Sequence, residues 1–189
     1  MRCFIAIDID ESLRKSLGDL QRELAGKVNI KKSDVKWVKP ESIHLTLNFL
    51  GQIKDEKVVE ICNIAKDVAA RNKCFDIDVG SVGCFGGRSA RVLWVGVNEG
   101  KQKLAALQKD LQEQLAQAGW PIENREFAGH LTLCRIRNPK AGLKLAQICE
   151  EYDDFEAGSV FVDSLRVYES QLQPTGPVYT VLGNYNLGA

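Results

Sequence analysis

The chain has 189 residues, 44% of them hydrophobic and 26% charged, with 16 Gly and 5 Pro. That length and balance describe one compact unit with a sizeable core and exclude low-complexity, collagenous and disordered classes. Lys and Arg total 25, as do Asp and Glu, so the global basic field of a protein that coats long nucleic acid is absent and any contact with such a polymer must be local.

From the N-terminus, RCFIAID reads as a short buried strand, and Asp10 caps a helical stripe of Leu13, Leu17, Leu20 and Leu24 that ends near Gly26. The run MRCFIAIDID is too short, and too soon acidic, for a signal peptide. A loop then carries Lys27, Lys31, Lys32, Lys36 and Lys39, with only Asp34 opposing them. It is either a solvated loop or a phosphate-attracting rim. Trp37-Val38-Lys39-Pro40 leads into IHLTLNFLG, an alternating strand, followed by a helix over about 55–71 and the strand FDIDVGSVGCF, whose two aspartates are expected to face solvent. Gly86-Gly87 marks a loop.

The second half repeats that order. RVLWVGV is a strand, Leu104, Leu107, Leu111 and Leu115 stripe a helix ending at Gly119, and a loop through Pro121 leads to the strand HLTLCRI. A shorter helix beyond Pro139 carries Leu143, Leu145 and Ile148, then SVFVDSLRVYES and PVYTVLGNY supply two more strands. Residues 3–8 match 92–97, the first helix matches the third, and HLTL recurs at 44–47 and 130–133. The expected architecture is α+β, a duplicated β-α-β-α-β unit forming two pseudo-symmetric lobes, with antiparallel sheets lining a central cleft and helices outside. Its lobes are expected at about 1–85 and 90–189 of a single domain, with terminal strands open to exchange between them.

Six cysteines are scattered with no C-x-x-C pair and no clustering with histidine, which argues against both a zinc site and a disulfide framework. Cys62 falls on an apolar helical stripe, where a reduced thiol acts as a small hydrophobe. No segment reaches the length of a membrane span. A monomer in a reducing cytoplasm is expected.

The chain has two histidines, His44 and His130, each opening a copy of HLTL. Side chains alternate along a strand, so His44 shares a face with Thr46, and His130 with Thr132, while the leucines face the core. If the duplication makes the two strands neighbours, two imidazoles and two hydroxyls line one cleft. Phosphodiester cleavage needs a base for water, an acid for the leaving oxygen and donors for the non-bridging oxygens. This set supplies all three. Alternation puts Cys134 on the face of His130 and Arg135 on the opposite one, so Arg135 reaches the cleft only through a bend or bulge. Phe49 and Trp37 read as core residues, with stacking on a base as the alternative for the aromatic near the motif.

On MRCFIAID, WVKPESIHLTLNFLG, RVLWVGV, FAGHLTLCRI and YESQLQPTGPVYTVL, the chain resembles the two-histidine (2H, LigT-like) phosphoesterases, specifically the RNA 2',3'-cyclic phosphodiesterases once called 2'-5' RNA ligases. The resemblance covers nearly the whole chain. It implies a catalytic pair in His44 and His130, phosphate-binding Thr46, Thr132 and Arg135, no metal or cofactor, and hydrolysis of a 2',3'-cyclic phosphate to a 2'-phosphate. His44 is assigned as the acid and His130 as the base, with the reverse as the alternative. Gly129 stands where the family usually has proline. The implied partners are RNA ends, tRNA fragments among them, or a small cyclic nucleotide; the lysine-rich loop favours an RNA chain. Asp8 and Asp10 could suggest Mg²⁺, but Asp10 reads better as a helix cap. A nucleophilic Cys134 and a non-catalytic RNA-end-binding module are the competing readings, and no P-loop string is present.

Overall fold

The computed structural model describes residues 1–121, 125–174 and 176–188. The part of the loop reading that falls on residues 122–124, and Thr175 within the last resembling segment, lie outside the described residues. Helix α1 (Glu11–Lys27) starts where Asp10 accepts from the Leu13 amide at 2.7 Å, satisfying a donor that the first helical turn leaves open. Its leucine stripe is buried, as is that of α3 (Lys101–Gln117). Helix α2 (Val58–Arg71) buries Ile61, Ala65 and Val68. The fourth, α4 (Pro139–Cys149), is capped by Asn138, which accepts from Lys140 N at 2.8 Å. It buries Ala141, Leu145 and Cys149, whereas Leu143 is 47% exposed. Leu143 lies two residues from both Ala141 and Leu145, off the buried 3.6-residue face.

Among the described residues nine strands form one antiparallel sheet: β1 (Arg2–Ile7), β2 (Val35–Trp37), β3 (Leu45–Gln52), β4 (Phe75–Phe85), β5 (Val92–Val97), β6 (His130–Ile136), β7 (Glu156–Val162), β8 (Ser164–Gln173) and β9 (Gly176–Asn186). The order is β7-β4-β5-β6-β3-β1-β8-β9, with β2 paired to β6. SVFVDSLRVYES, read as one strand, is divided at Asp163 between β7 and β8. These pair with different neighbours, β7 with β4 and β8 with β1. The sheet has two four-stranded halves, β9-β8-β1-β3 and β7-β4-β5-β6, joined by one bridged pair, Leu45 with Leu131. Helices α1 and α2 pack on β7 and β8-β9, and α3 and α4 on β3-β4 and β4-β6. The face they cover holds Ile5, Ile7, Leu45, Leu93, Val95 and Leu131, each at most 2% exposed. The opposite face of both motif strands is left open as the cleft.

Each motif strand carries an extra residue just past its threonine, and β3 carries a second, Leu50, between the Cys3–Gly51 and Phe4–Phe49 pairs. Along β3, Ile5 faces Asn48 and Ala6 faces Thr46, leaving Leu47 over. Along β6, Leu93 faces Cys134 and Trp94 faces Thr132, leaving Leu133 over. These are β-bulges, which restart alternation one residue late. Leu47 with Asn48, and Leu133 with Cys134, are therefore buried as adjacent pairs. Phe49 and Arg135 return to the face of the histidines. The second bulge is held from below by Gln21 of α1, itself 7% exposed, whose Nε2 donates to Leu133 O at 2.9 Å and Val38 O at 2.7 Å. Gln21→Leu keeps the shape and removes both donors, so urea denaturation is expected to show a loss of about 1–3 kcal/mol, the usual cost of leaving buried carbonyls short of a partner. Unchanged stability would mean that the bulge does not rely on α1.

Candidate active site

His44 sits between the 3₁₀ turn Pro40–Ser42 and the first residue of β3, while His130 opens β6. The two rings are held alike. His44 Nδ1 donates to Ser42 O at 2.9 Å and His130 Nδ1 donates to Ala128 O at 2.7 Å, each to the carbonyl two residues back. An Nδ1–H fixed on a carbonyl leaves Nε2 as the nitrogen that can accept or deliver a proton. Because β3 and β6 run antiparallel through Leu45 and Leu131, Thr46 and Phe49 lie on the His130 side of that bridge. Thr132 and Arg135 lie on the His44 side. Each histidine is thus placed toward the threonine of the other motif.

The surroundings are less symmetric than the backbone. His44 stacks on Phe4, with ring centroids 4.6 Å apart and planes 22° off parallel, and meets the edge of Tyr179 at 5.1 Å and 89°. Tyr168 stacks beneath Phe4 at 5.1 Å. His130 meets Phe85 edge-on at 5.0 Å and Trp94 at 6.1 Å. The aromatic floor desolvates His44 and pushes its pKa below the ordinary histidine value, against an opposing hydrogen bond to Ser42 and a weaker attraction to Asp8, with Arg14 lowering it further. Arg14 also fixes the turn before His44. Its Nη1 donates to Pro40 O at 3.0 Å, Glu41 O at 2.8 Å and Ile43 O at 3.1 Å. Its Nη2 pairs with Asp8, which also takes Arg166. Asp8 is thereby spent on two guanidinium groups, and Asp10 on its helix cap.

Arg135 reaches the cleft through the bulge. Burial pushes the Tyr179 phenol above its ordinary value, and the charge of Arg135 only partly offsets this. The same slip overturns two other expectations. Cys134 is turned to the core, fully buried, and its thiol is pushed up to about 12 by desolvation, so it faces away from His130. Phe49 is 67% exposed rather than core, and lies 6.3 Å from Phe4. Trp37 packs against the core as read. Strict alternation misplaced Phe49 because a bulge cannot be seen in one strand. Phe4, Tyr168 and Tyr179 were also missed, since continuous apolar runs such as RCFIAI carry no face signal. Gly129 uses its missing side chain: a Cβ there would come within 2.5 Å of Leu104 Cδ2.

Among the described residues no three His, Cys, Asp or Glu side chains gather into a metal-ligating group, and no helix is long and apolar enough to cross a membrane. A recess of about 710 Å³ between β4 and α4, lined by residues including Cys84, Arg88 and Leu143, contains neither histidine.

A twofold-related pair of His-x-Thr strands facing one cleft defines a class, and comparison with known proteins agrees. The family model described as "LigT like Phosphoesterase" matches residues 7–94 and again 95–179. The chain belongs to the LigT-like phosphoesterase family. It is 33% identical over 188 residues to the RNA 2',3'-cyclic phosphodiesterase of Methanothermobacter thermautotrophicus, covering 99% of each chain. It is 35% identical over 182 residues to that of Archaeoglobus fulgidus, covering 95% of this chain and 96% of the relative. The structure of TT0787 of Thermus thermophilus superimposes with a TM-score of 0.79 at 24% identity, covering 99% of this chain and 98% of that one. The structure of E. coli LigT complexed with 3'-AMP does so with 0.76 at 26%, covering 98% and 97%.

His44 is expected to titrate below pH 6.5 in the free protein, and Arg14→Gln, which removes a neighbouring positive charge, is expected to move that titration upward. Imidazole NMR signals followed against pH would test both signs. Because the folded-state pKa is depressed, the stability from burying His44 neutral is full above the unfolded value near 6.5 and is lost as pH falls through the lower folded one.

Proposed function

We propose that the chain hydrolyses 2',3'-cyclic phosphates at RNA ends to 2'-phosphates with a free 3'-hydroxyl, using His44 and His130 as the acid–base pair. The observation that carries this reading is the doubled histidine, each ring tied through Nδ1 to the carbonyl two residues back, with Nε2 free on one cleft face. The names of the full-length relatives support the activity.

In this mechanism His130 Nε2 takes a proton from water as its oxygen attacks phosphorus, and His44 Nε2 delivers a proton to O3' as the P–O3' bond breaks. Thr46, Thr132 and Arg135 donate to the non-bridging oxygens, where charge builds in the transition state. Burial disfavours the charged form of His44, and an anionic phosphate beside it restores what desolvation removed. Its charging is therefore tied to substrate binding. An exposed Phe49 is suited to stack on the base of the terminal nucleotide. With a 5'-hydroxyl in place of water, the reverse path forms a 2'-5' linkage, by microscopic reversibility; water at ordinary concentration favours hydrolysis.

With an oligonucleotide ending in a 2',3'-cyclic phosphate, the protein is expected to release the 2'-phosphate in the presence of EDTA. The rate should follow a bell-shaped pH profile. His44→Ala and His130→Ala are each expected to lower kcat by about 10²–10⁴-fold, the range for a positioned acid or base, with binding largely kept. Loss of binding with no turnover in the parent protein would favour a binding module. Activity surviving either substitution would sink the two-histidine mechanism, and a 3'-phosphate product would reverse the leaving group.

A further inference from the structure

Three of the five lysines between residues 27 and 39 have distinct surroundings. Lys27 pairs with Glu151 at 3.3 Å and lies over the Tyr152 ring at 4.7 Å. Lys31 lines a separate recess with Asp34, Lys140 and Lys144. Lys36 is different. It is the middle residue of β2, directly opposite Arg135 on β6. Its neighbours Val35 and Trp37 pack into the core, so alternation turns Lys36 to the other face, the one that the bulge gives to Arg135.

Two cations therefore stand as a cross-strand pair, with Cα atoms about 4.5–5.5 Å apart for directly opposed antiparallel residues. Like charges so placed are destabilising. Among the described residues no carboxylate pairs with either. By contrast, Arg14 and Arg166 on the other half share Asp8. An uncompensated cation pair beside the cleft is relieved by an anion, and two cations in a row suit two anions in a row.

In an RNA end the cyclic phosphate is followed, one nucleotide inward, by an ordinary phosphodiester, whereas a nucleoside cyclic phosphate with a free 5'-hydroxyl carries no second anion. We infer that Lys36 binds this next phosphodiester while Arg135 binds the reactive phosphate, which makes the end of an RNA chain, rather than a single nucleoside, the preferred substrate. The inference rests on the cyclic phosphodiesterase reading of the cleft.

The test compares a trinucleotide ending in a 2',3'-cyclic phosphate with a nucleoside 2',3'-cyclic phosphate. Lys36→Gln, an exposed change, is expected to lower kcat/KM on the trinucleotide about tenfold, through KM with kcat kept, and to leave the nucleoside unchanged. Lys36→Arg should keep the preference. The slope of log affinity against log salt should shrink by about 0.7 for the one lost single-strand phosphate contact. Equal losses on both substrates, or none on the trinucleotide, overturn the inference. Should the parent protein turn over neither substrate, the phosphodiesterase reading fails. Fluorescence anisotropy with a labelled trinucleotide ending in a 2'-phosphate then judges Lys36 separately, and unchanged affinity in Lys36→Gln overturns its role.

Discussion

The cleft depends on the extra residue that follows the threonine in each motif strand. A regular strand would have buried Phe49 and Arg135 and turned Asn48 and Cys134 toward the histidines. The bulges at Leu47 and Leu133 reverse this, burying two residues in succession and returning the next to the open face. The energetic reason is local. Leu133 O is met by both Val38 N at 2.9 Å and Gln21 Nε2 at 2.9 Å, so the irregular backbone leaves this carbonyl satisfied. A residue of α1, on the covered side of the sheet, thus supports the irregular backbone just before Arg135.

The duplicated frame gives both histidines the same tether and strand position, but acid–base chemistry needs two unlike groups. The difference comes from what surrounds them. His44 rests on Phe4 and Tyr179 and on a turn clamped by Arg14, while His130 meets Phe85 and Trp94 with no comparable ion network among the described residues. Desolvation is the larger influence on His44 and hydrogen bonding the smaller. A twofold backbone can therefore carry a chemically asymmetric pair, with the asymmetry written in side chains rather than topology.

Charge is distributed by the same logic. The chain is neutral overall, with 25 basic and 25 acidic residues, yet the wall formed by β2 and β6 holds Lys36 and Arg135 side by side. Net charge is blind to this, because Arg14, Arg71 and Arg166 are matched by carboxylates elsewhere.

Much was legible in the sequence. Leucine spacing marked α1 and α3, Asp10 marked a helix start, and the recurrence of HLTL with its flanking strands and helices marked the duplication and placed His44 with Thr46, and His130 with Thr132, on one face of each strand. These are periodic or repeated features, and periodicity is a local property of the chain. Only the tertiary structure decided the rest. It split the segment around Asp163 between two neighbours, moved Phe49 out of the core and Cys134 into it, brought Arg135 to the cleft, and set Lys36 opposite Arg135. Each outcome turns on which strand lies alongside and in what register, and a bulge or a cross-strand pair exists only once two distant segments meet.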